Sequence, residues 1–301
     1  MTSIVGFLSL LLIGAMTFPA FAQRGPAEKY ATGMNTPVAQ MSSARDTAFH
    51  PYRVNYWVSG PLIGIGAVAN FAGFTRIMNK PEISPLELQA LNRDVVNSFD
   101  RWALRQDPFE RDTYDDYAEY TIVSTVLMPV LLLFEPQIRR DWFDILAMYL
   151  ETMSFTSMMY EWSFVGTSFI DRFRPLTYYE QLPLEARITG RNRNSFYSGH
   201  VASATAATFF MVKVYSDYHP GMGKDKFWLY GAATIPPLVL GYFRVRGLKH
   251  FPSDVFVGIG IGALCGILVP ELHRLRDRGL DVGMFASPEG TGVRVAWKPE
   301  W

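Results

Sequence analysis

Residues 242–257 read YFRVRGLKHFPSDVFV and hold three groups that could do chemistry together: Arg244, His250 and Asp254. The spacing is Arg, five residues, His, three residues, Asp. A guanidinium binds anions with bidentate geometry. An imidazole attacks an electrophile or carries a proton, and a carboxylate one helical turn away can orient it. Two upstream segments add what this one lacks. Arg174 precedes Pro175, and Ser198-Gly199-His200 opens an apolar run. A helix start offers free N–H groups and a positive dipole end to a phosphate. Gly199 would allow close backbone approach there, and the Ser198 hydroxyl would donate a hydrogen bond. Arg174 and Arg244 would grip phosphate oxygens while Asp254 reaches the His250 ring nitrogen. His250 would attack and His200 would protonate the leaving oxygen. Such a site needs no metal ligand cluster.

These groups must be held by helices. Apolar runs cover 54–75, 120–134, 142–165, 200–215, 227–242 and 255–272. Several approach the ~20 residues that span a bilayer. The run after Ser198 is rich in Ala, Ser and Thr, the composition of a tightly packed membrane helix. Asp144, Glu151 and Glu161 interrupt the third run and should face the bundle interior, hydrogen bonding between helices, or water. Ser84-Pro85-Leu86-Glu87 is a capping box with proline at the first helical position. It predicts an amphipathic helix carrying Leu88, Leu91, Val95, Phe99 and Trp102 at three-to-four spacing. The charges from Asp107 to Asp116 read as a solvated loop. Strand-like alternation occurs only near the end, where 282–285 and 293–297 flank a Pro/Gly-rich turn and predict a small hairpin. The fold class is all-α, a bundle of about five to six spans.

The chain has 28 Lys+Arg and 28 Asp+Glu, so no global charge points to nucleic acid. Its one cysteine, Cys265, lies in an apolar run and reads as a buried structural thiol. An intrachain disulfide and a cysteine-based zinc site are both excluded.

Together the three segments resemble the signature of the type 2 phosphatidic acid phosphatase (PAP2) superfamily. That superfamily covers membrane lipid phosphatases, soluble bacterial class A acid phosphatases and vanadium haloperoxidases. Its pattern is a lysine separated by six residues from Arg-Pro, then Pro-Ser-Gly-His, then Ser-Arg, five residues, His, three residues, Asp. The third segment here matches from Arg244 through His250 to Asp254, with Phe243 in place of serine. The second has Tyr197 in place of proline. The first keeps Arg174-Pro175 but has Thr167 where the lysine belongs. The resemblance implies a metal-independent, cofactor-free phosphatase with His250 as the nucleophile that forms a phosphohistidine. Asp254 would orient it, and His200 would act as acid and then base. Arg174, Arg244, Ser198 and Gly199 would hold the phosphate. Arg172 is the expected substitute for the missing lysine, with Arg191 and Arg193 as other candidates. The implied partners are a lipid phosphate and the membrane: phosphatidate, phosphatidylglycerol phosphate, undecaprenyl pyrophosphate or a lipid A type. Two alternatives stay open, a soluble periplasmic acid phosphatase and a non-catalytic phospholipid-binding protein with a degenerate site.

Residues 1–22 read as a secretory leader with an Ala20-Phe21-Ala22 cleavage pattern, followed by a polar lead-in over 23–53. The helical phosphatase domain is expected over 54–280 and the hairpin tail over 281–301. Arg139-Arg140, Lys213, Lys224, Lys226 and the arginines at 274, 276 and 278 would share one face. That places the motifs on the periplasmic side of a bacterial inner membrane. A cleaved leader followed by a full crossing at 54–75 would invert this, and the sequence leaves both orders open.

Overall fold

The computed structural model describes residues 49–277, 280–287 and 290–297. The leader and nearly all of the lead-in lie outside the described residues. Helix α1 spans Tyr56–Met78 and α2 Pro85–Gln89; α3 is Arg111–Leu127, prolonged by a 3-10 turn through Phe134. Then come α4 (Pro136–Arg140), α5 (Trp142–Trp162), α6 (Leu184–Ile188) and α7 (Gly199–Tyr218). Helices α8 (Lys226–Ala233), α9 (Ile235–Arg246) and α10 (Pro252–Asp277) complete the bundle. A hairpin follows, β1 (Leu280–Ser287) paired antiparallel with β2 (Gly290–Trp297), with Ser287 opposite Gly290. The expectation of an all-α membrane bundle with a C-terminal hairpin holds.

Helix α7 is the buried centre, packed by α3, α5, α8, α9 and α10. Its small residues let α10 lie directly on its backbone. Gly258, Gly262 and Gly266 fall one turn apart on α10 and face the carbonyl oxygens of Ser198, Ala202 and Ala206. A Cβ on Gly262 would stand 2.2 Å from the Ala202 oxygen. This is small-xxx-small packing, in which close approach replaces the hydrophobic effect that lipid cannot supply. The two helices run parallel. Ser198 N–H bonds to the Asp254 carbonyl at one end, and Lys213 pairs with Glu271 (2.6 Å) at the other.

Among the described residues, three helical segments are long and apolar enough to cross a membrane: Tyr56–Met78, Arg111–Phe134 and Pro252–Arg274. Trp57, Ile65, Val68 and Phe71 of α1 point outward, as lipid-facing residues should. The acidic groups of α5 do face other helices. Glu151 pairs with His273 of α10 at 2.6 Å, Asp144 accepts from Tyr56, and Glu161 is buried against Gly73 of α1.

Three expectations need correction. The capping box at Ser84 forms, with Glu87 returning to the Ser84 N–H at 2.8 Å, but the helix it opens stops at Gln89. Asn92 and Asn97 turn their side chains onto the backbone N–H groups of Asp94 and Asp100 and start two short 3-10 turns instead. Asparagine competes with helical hydrogen bonding in this way. The charges near Asp107 are only partly a loop, because α3 begins at Arg111 and carries Asp115 into the structure. The run 227–242 divides at Thr234, just before Pro236-Pro237.

Gly262→Val should prevent α7 and α10 from approaching, at a cost of about 3 kcal/mol or more. A thermal unfolding scan in detergent would show a large fall in melting temperature; an unchanged melt would mean the helices are not held by this contact.

Candidate active site

Backbone hydrogen bonds draw the three motif segments together. The chain at 172–174 runs beside 192–195. Arg172 N–H donates to Arg193 O (3.0 Å), Arg174 N–H to Asn192 O (2.8 Å) and Ser195 N–H to Arg172 O (3.0 Å). Leu176 N–H donates to Leu248 O (3.2 Å), tying the first segment to the third. The second joins the third through Ser198 and Asp254, as above.

The third segment is a helix end followed at once by a helix start. At the end of α9, Lys249 N–H donates to Arg244 O and Leu248 N–H to Val245 O, both at 3.0 Å. This is a Schellman turn, which puts one residue in the left-handed region. That residue is Leu248, at φ 57°. A leucine there costs roughly 1–2 kcal/mol of backbone strain. Leu248 is fully buried in the main core cluster, which offsets the strain. Four residues on, Pro252 opens α10 as its first residue. Asp254 Oδ2 accepts from Phe251 N–H (2.8 Å), one half of a capping box.

This geometry changes the role expected for Asp254. Its carboxylate also accepts from Ser195 Oγ (2.7 Å) and pairs with Arg172. It does not hold the His250 ring. His250 Nδ1 instead donates to the Ser195 carbonyl at 2.6 Å. A carbonyl only accepts, so Nδ1 carries the hydrogen and Nε2 the lone pair. Asp254 therefore bears on His250 through Ser195, because its lone pairs are taken by the helix start and by Arg172. His250 is buried, and burial first, then repulsion from Arg244 and Arg174, holds its pKa well below the usual histidine value. Burial thus favours the uncharged ring.

Arg172 is also reassigned. Its guanidinium joins Asp254 to Asp100 (2.7 Å), donates to Ser253 Oγ (2.8 Å) and lies over the Phe251 ring. Both carboxylates are fully buried. A cation with three of its five N–H donors on these groups, and its charge shared between two buried carboxylates, is a structural clasp. Arg193 is likewise committed, gripping Glu87 through two bonds of 2.7 Å. Arg191 is exposed. Thr167 is fully buried with its hydroxyl on Phe196 O. Gly199 turns its bare face to the Tyr160 ring, where a Cβ would stand 3.2 Å away, so packing alone accounts for that glycine.

What remains is a set of donors turned toward one place. Among the described residues Arg174 makes no ion pair and its Nε has no hydrogen-bond partner. Burial, followed by repulsion from Arg244, pushes its pKa down to about 10, so it stays charged. Arg244 pairs through Nη1 with Asp115 of α3 (2.9 Å) and leaves Nε unpartnered. Ser198 Oγ and His200 Nε2 are buried without a hydrogen bond, the latter 3.4 Å from Glu119 Oε1. Buried polar groups are rarely left so. Their convergence at the start of α7, beside a neutral histidine, suits an anion.

Residues 142–278 match the family model of the PAP2 superfamily. This segment is a PAP2 domain. It contains Thr167, Arg174, Ser198, Gly199, His200, Arg244, His250 and Asp254, all at the end of the bundle just described. Neither a curated protein nor a solved structure gives a significant match. Asp100, Asp115 and Glu119 reach Arg172, Arg244 and His200, respectively, from outside the matched segment. Sequence reasoning missed these three, together with Ser195 and Lys249. The one available signal was that Asp115 and Glu119 lie four apart, on one helix face.

Arg172→Ala should leave Asp100 and Asp254 as uncompensated buried charges and destabilise the domain by about 3–5 kcal/mol. A large fall in detergent melting temperature is expected, with partial recovery in Arg172→Lys. An unchanged melt with weakened phosphate binding would restore Arg172 to the anion site.

Proposed function

We propose that the chain hydrolyses a phosphomonoester or pyrophosphate on a lipid, since PAP2 domains have, in general, phosphatase-type function and the chain has apolar helices of membrane length. The observation that carries this reading is the convergence of unpartnered buried donors on Arg174, Arg244, Ser198 and His200 around a histidine whose Nε2 is free of its proton. Arg174 and Arg244 bind phosphate oxygens and stabilise the charge that spreads over them during transfer. The Ser198 hydroxyl and the N–H groups at the start of α7 add neutral donors. His250 Nε2 attacks phosphorus, and the P–O bond to the leaving group breaks as His200 delivers a proton to that oxygen. A water, deprotonated by His200, then attacks the phosphohistidine, releasing phosphate and restoring His250. Ser195 holds the Nδ1–H tautomer throughout, and Asp254 holds Ser195.

Purified full-length protein should release phosphate from a panel of lipid phosphates and p-nitrophenyl phosphate in the presence of EDTA. His250→Ala should lose about a thousandfold or more. Release by wild type alone names the preferred lipid; equal release by both proteins would refute the histidine mechanism.

The site would face the periplasm of a bacterial inner membrane. His200 and Asp217 lie at opposite ends of α7, roughly 25 Å apart at 1.5 Å per residue. The Asp217 end gathers Lys213 and Arg274, with Arg139-Arg140 close by through the Asp141–Tyr218 bond. Basic residues favour the cytoplasm. The native Cys265 is buried, so single cysteines report cleanly. A membrane-impermeant maleimide added to spheroplasts should label Leu184→Cys and spare Lys224→Cys; the reverse pattern would invert the orientation.

A further inference from the structure

The PAP2 pattern supplies a lysine that this chain lacks, and Arg172 does not replace it. Another cation already stands in the cradle. Lys249 precedes the nucleophile, and the Schellman turn directs it to the same side as Arg244. Both are held by one carboxylate. Asp115 Oδ1 takes Arg244 Nη1 at 2.9 Å and Oδ2 takes Lys249 Nζ at 2.8 Å. Arg246, on the intervening turn, goes elsewhere, to Glu110 and the Tyr114 ring. Arg174 and Arg244 both repel Lys249. So three cations lie within electrostatic reach of one another, and one carboxylate bridges two of them. A bidentate anion between two cations is also how a phosphate would use two of its oxygens.

We propose that Lys249 is the third phosphate-binding cation of this site, and that Asp115 is the resident anion that phosphate displaces from between Arg244 and Lys249. The proposal rests on the phosphate-site reading above. It makes Asp115 a determinant of affinity. Every phosphate that binds must break two ion pairs first, so the carboxylate weakens binding and weak anions cannot enter. A purely structural Asp115, fastening α3 to the 244–250 turn, would do the opposite: its loss would loosen the cradle.

The test is calorimetric titration of inorganic phosphate into the full chain in detergent, for wild type, Lys249→Met, Asp115→Asn and Arg174→Ala, with melting temperatures recorded. Lys249→Met should weaken phosphate binding roughly tenfold or more, and Asp115→Asn should tighten it by about threefold or more. Opposite signs are the signature, because a misfolded variant loses binding in both cases. Lys249→Arg, which keeps the charge, should retain most of the affinity. The same series with dioctanoyl phosphatidate separates two sources of the group: parallel shifts put the exchange at the lipid's phosphate, and shifts with inorganic phosphate alone assign the seat to the free anion. Wild-type affinity in Lys249→Met, or weaker binding in Asp115→Asn, overturns the proposal, while loss in Arg174→Ala keeps the phosphate site. No phosphate binding by any of the proteins overturns both.

Discussion

The backbone of α10 rests on the backbone of α7, and the site exists because it does. Three glycines one turn apart meet three carbonyls of α7 with no side chain between them. In a membrane this contact is a packing interaction, since moving apolar surface from lipid to protein gains little. Its effect at the site is positional. Two parallel helices in such contact have their first turns side by side. One first turn carries Ser198 and His200; the other follows directly on His250 and contains Asp254. Two segments separated by some fifty residues of chain are thereby brought into hydrogen-bonding range.

Charge is distributed at this end of the bundle by the same logic. Arg172, Asp100 and Asp254 form a closed buried set that fixes loops and the start of α10. Arg174, Arg244 and Lys249 form an open one, with more positive charge than the carboxylates of Asp115 and Glu119 neutralise. The closed set ties the loops together, and the open set has the charge that suits an anion. Two arginines two residues apart, Arg172 and Arg174, fall on opposite sides of this division because Asp100 and Asp254 meet only the first, while the second makes no ion pair among the described residues.

Much of this was legible in the sequence. The motif order and the apolar runs specify an all-α bundle with one polar end, and the hairpin follows from alternation and a Pro/Gly turn. The misreadings share a cause. Arg172 was assigned to phosphate by proximity in sequence, yet its partner Asp100 lies seventy-two residues away in a segment with no motif. Asp115 reads as a solvated charge because nothing local shows that α3 lies against the 244–250 turn. Asp254 has the right spacing to reach His250, but Ser195, placed by a parallel pairing of two loops, reaches it first. The amphipathic periodicity after Ser84 is real, and two asparagines override it. Local pattern places elements; partners across the bundle decide what each side chain is free to do.

Leu248 bears on how the third motif should be understood. Its left-handed backbone closes α9, and α10 opens four residues later, so the interval from Arg244 to Asp254 is one helix terminator joined to one helix initiator. The fixed count between arginine and histidine is thus the length of a cap, and the count between histidine and aspartate is the length of a first turn. Neither is a reach toward a substrate. A gap placed in this interval during alignment would have no structural counterpart, whereas the stretch between Arg174 and Ser198, which carries only short turns and the five-residue α6, has room to vary in length.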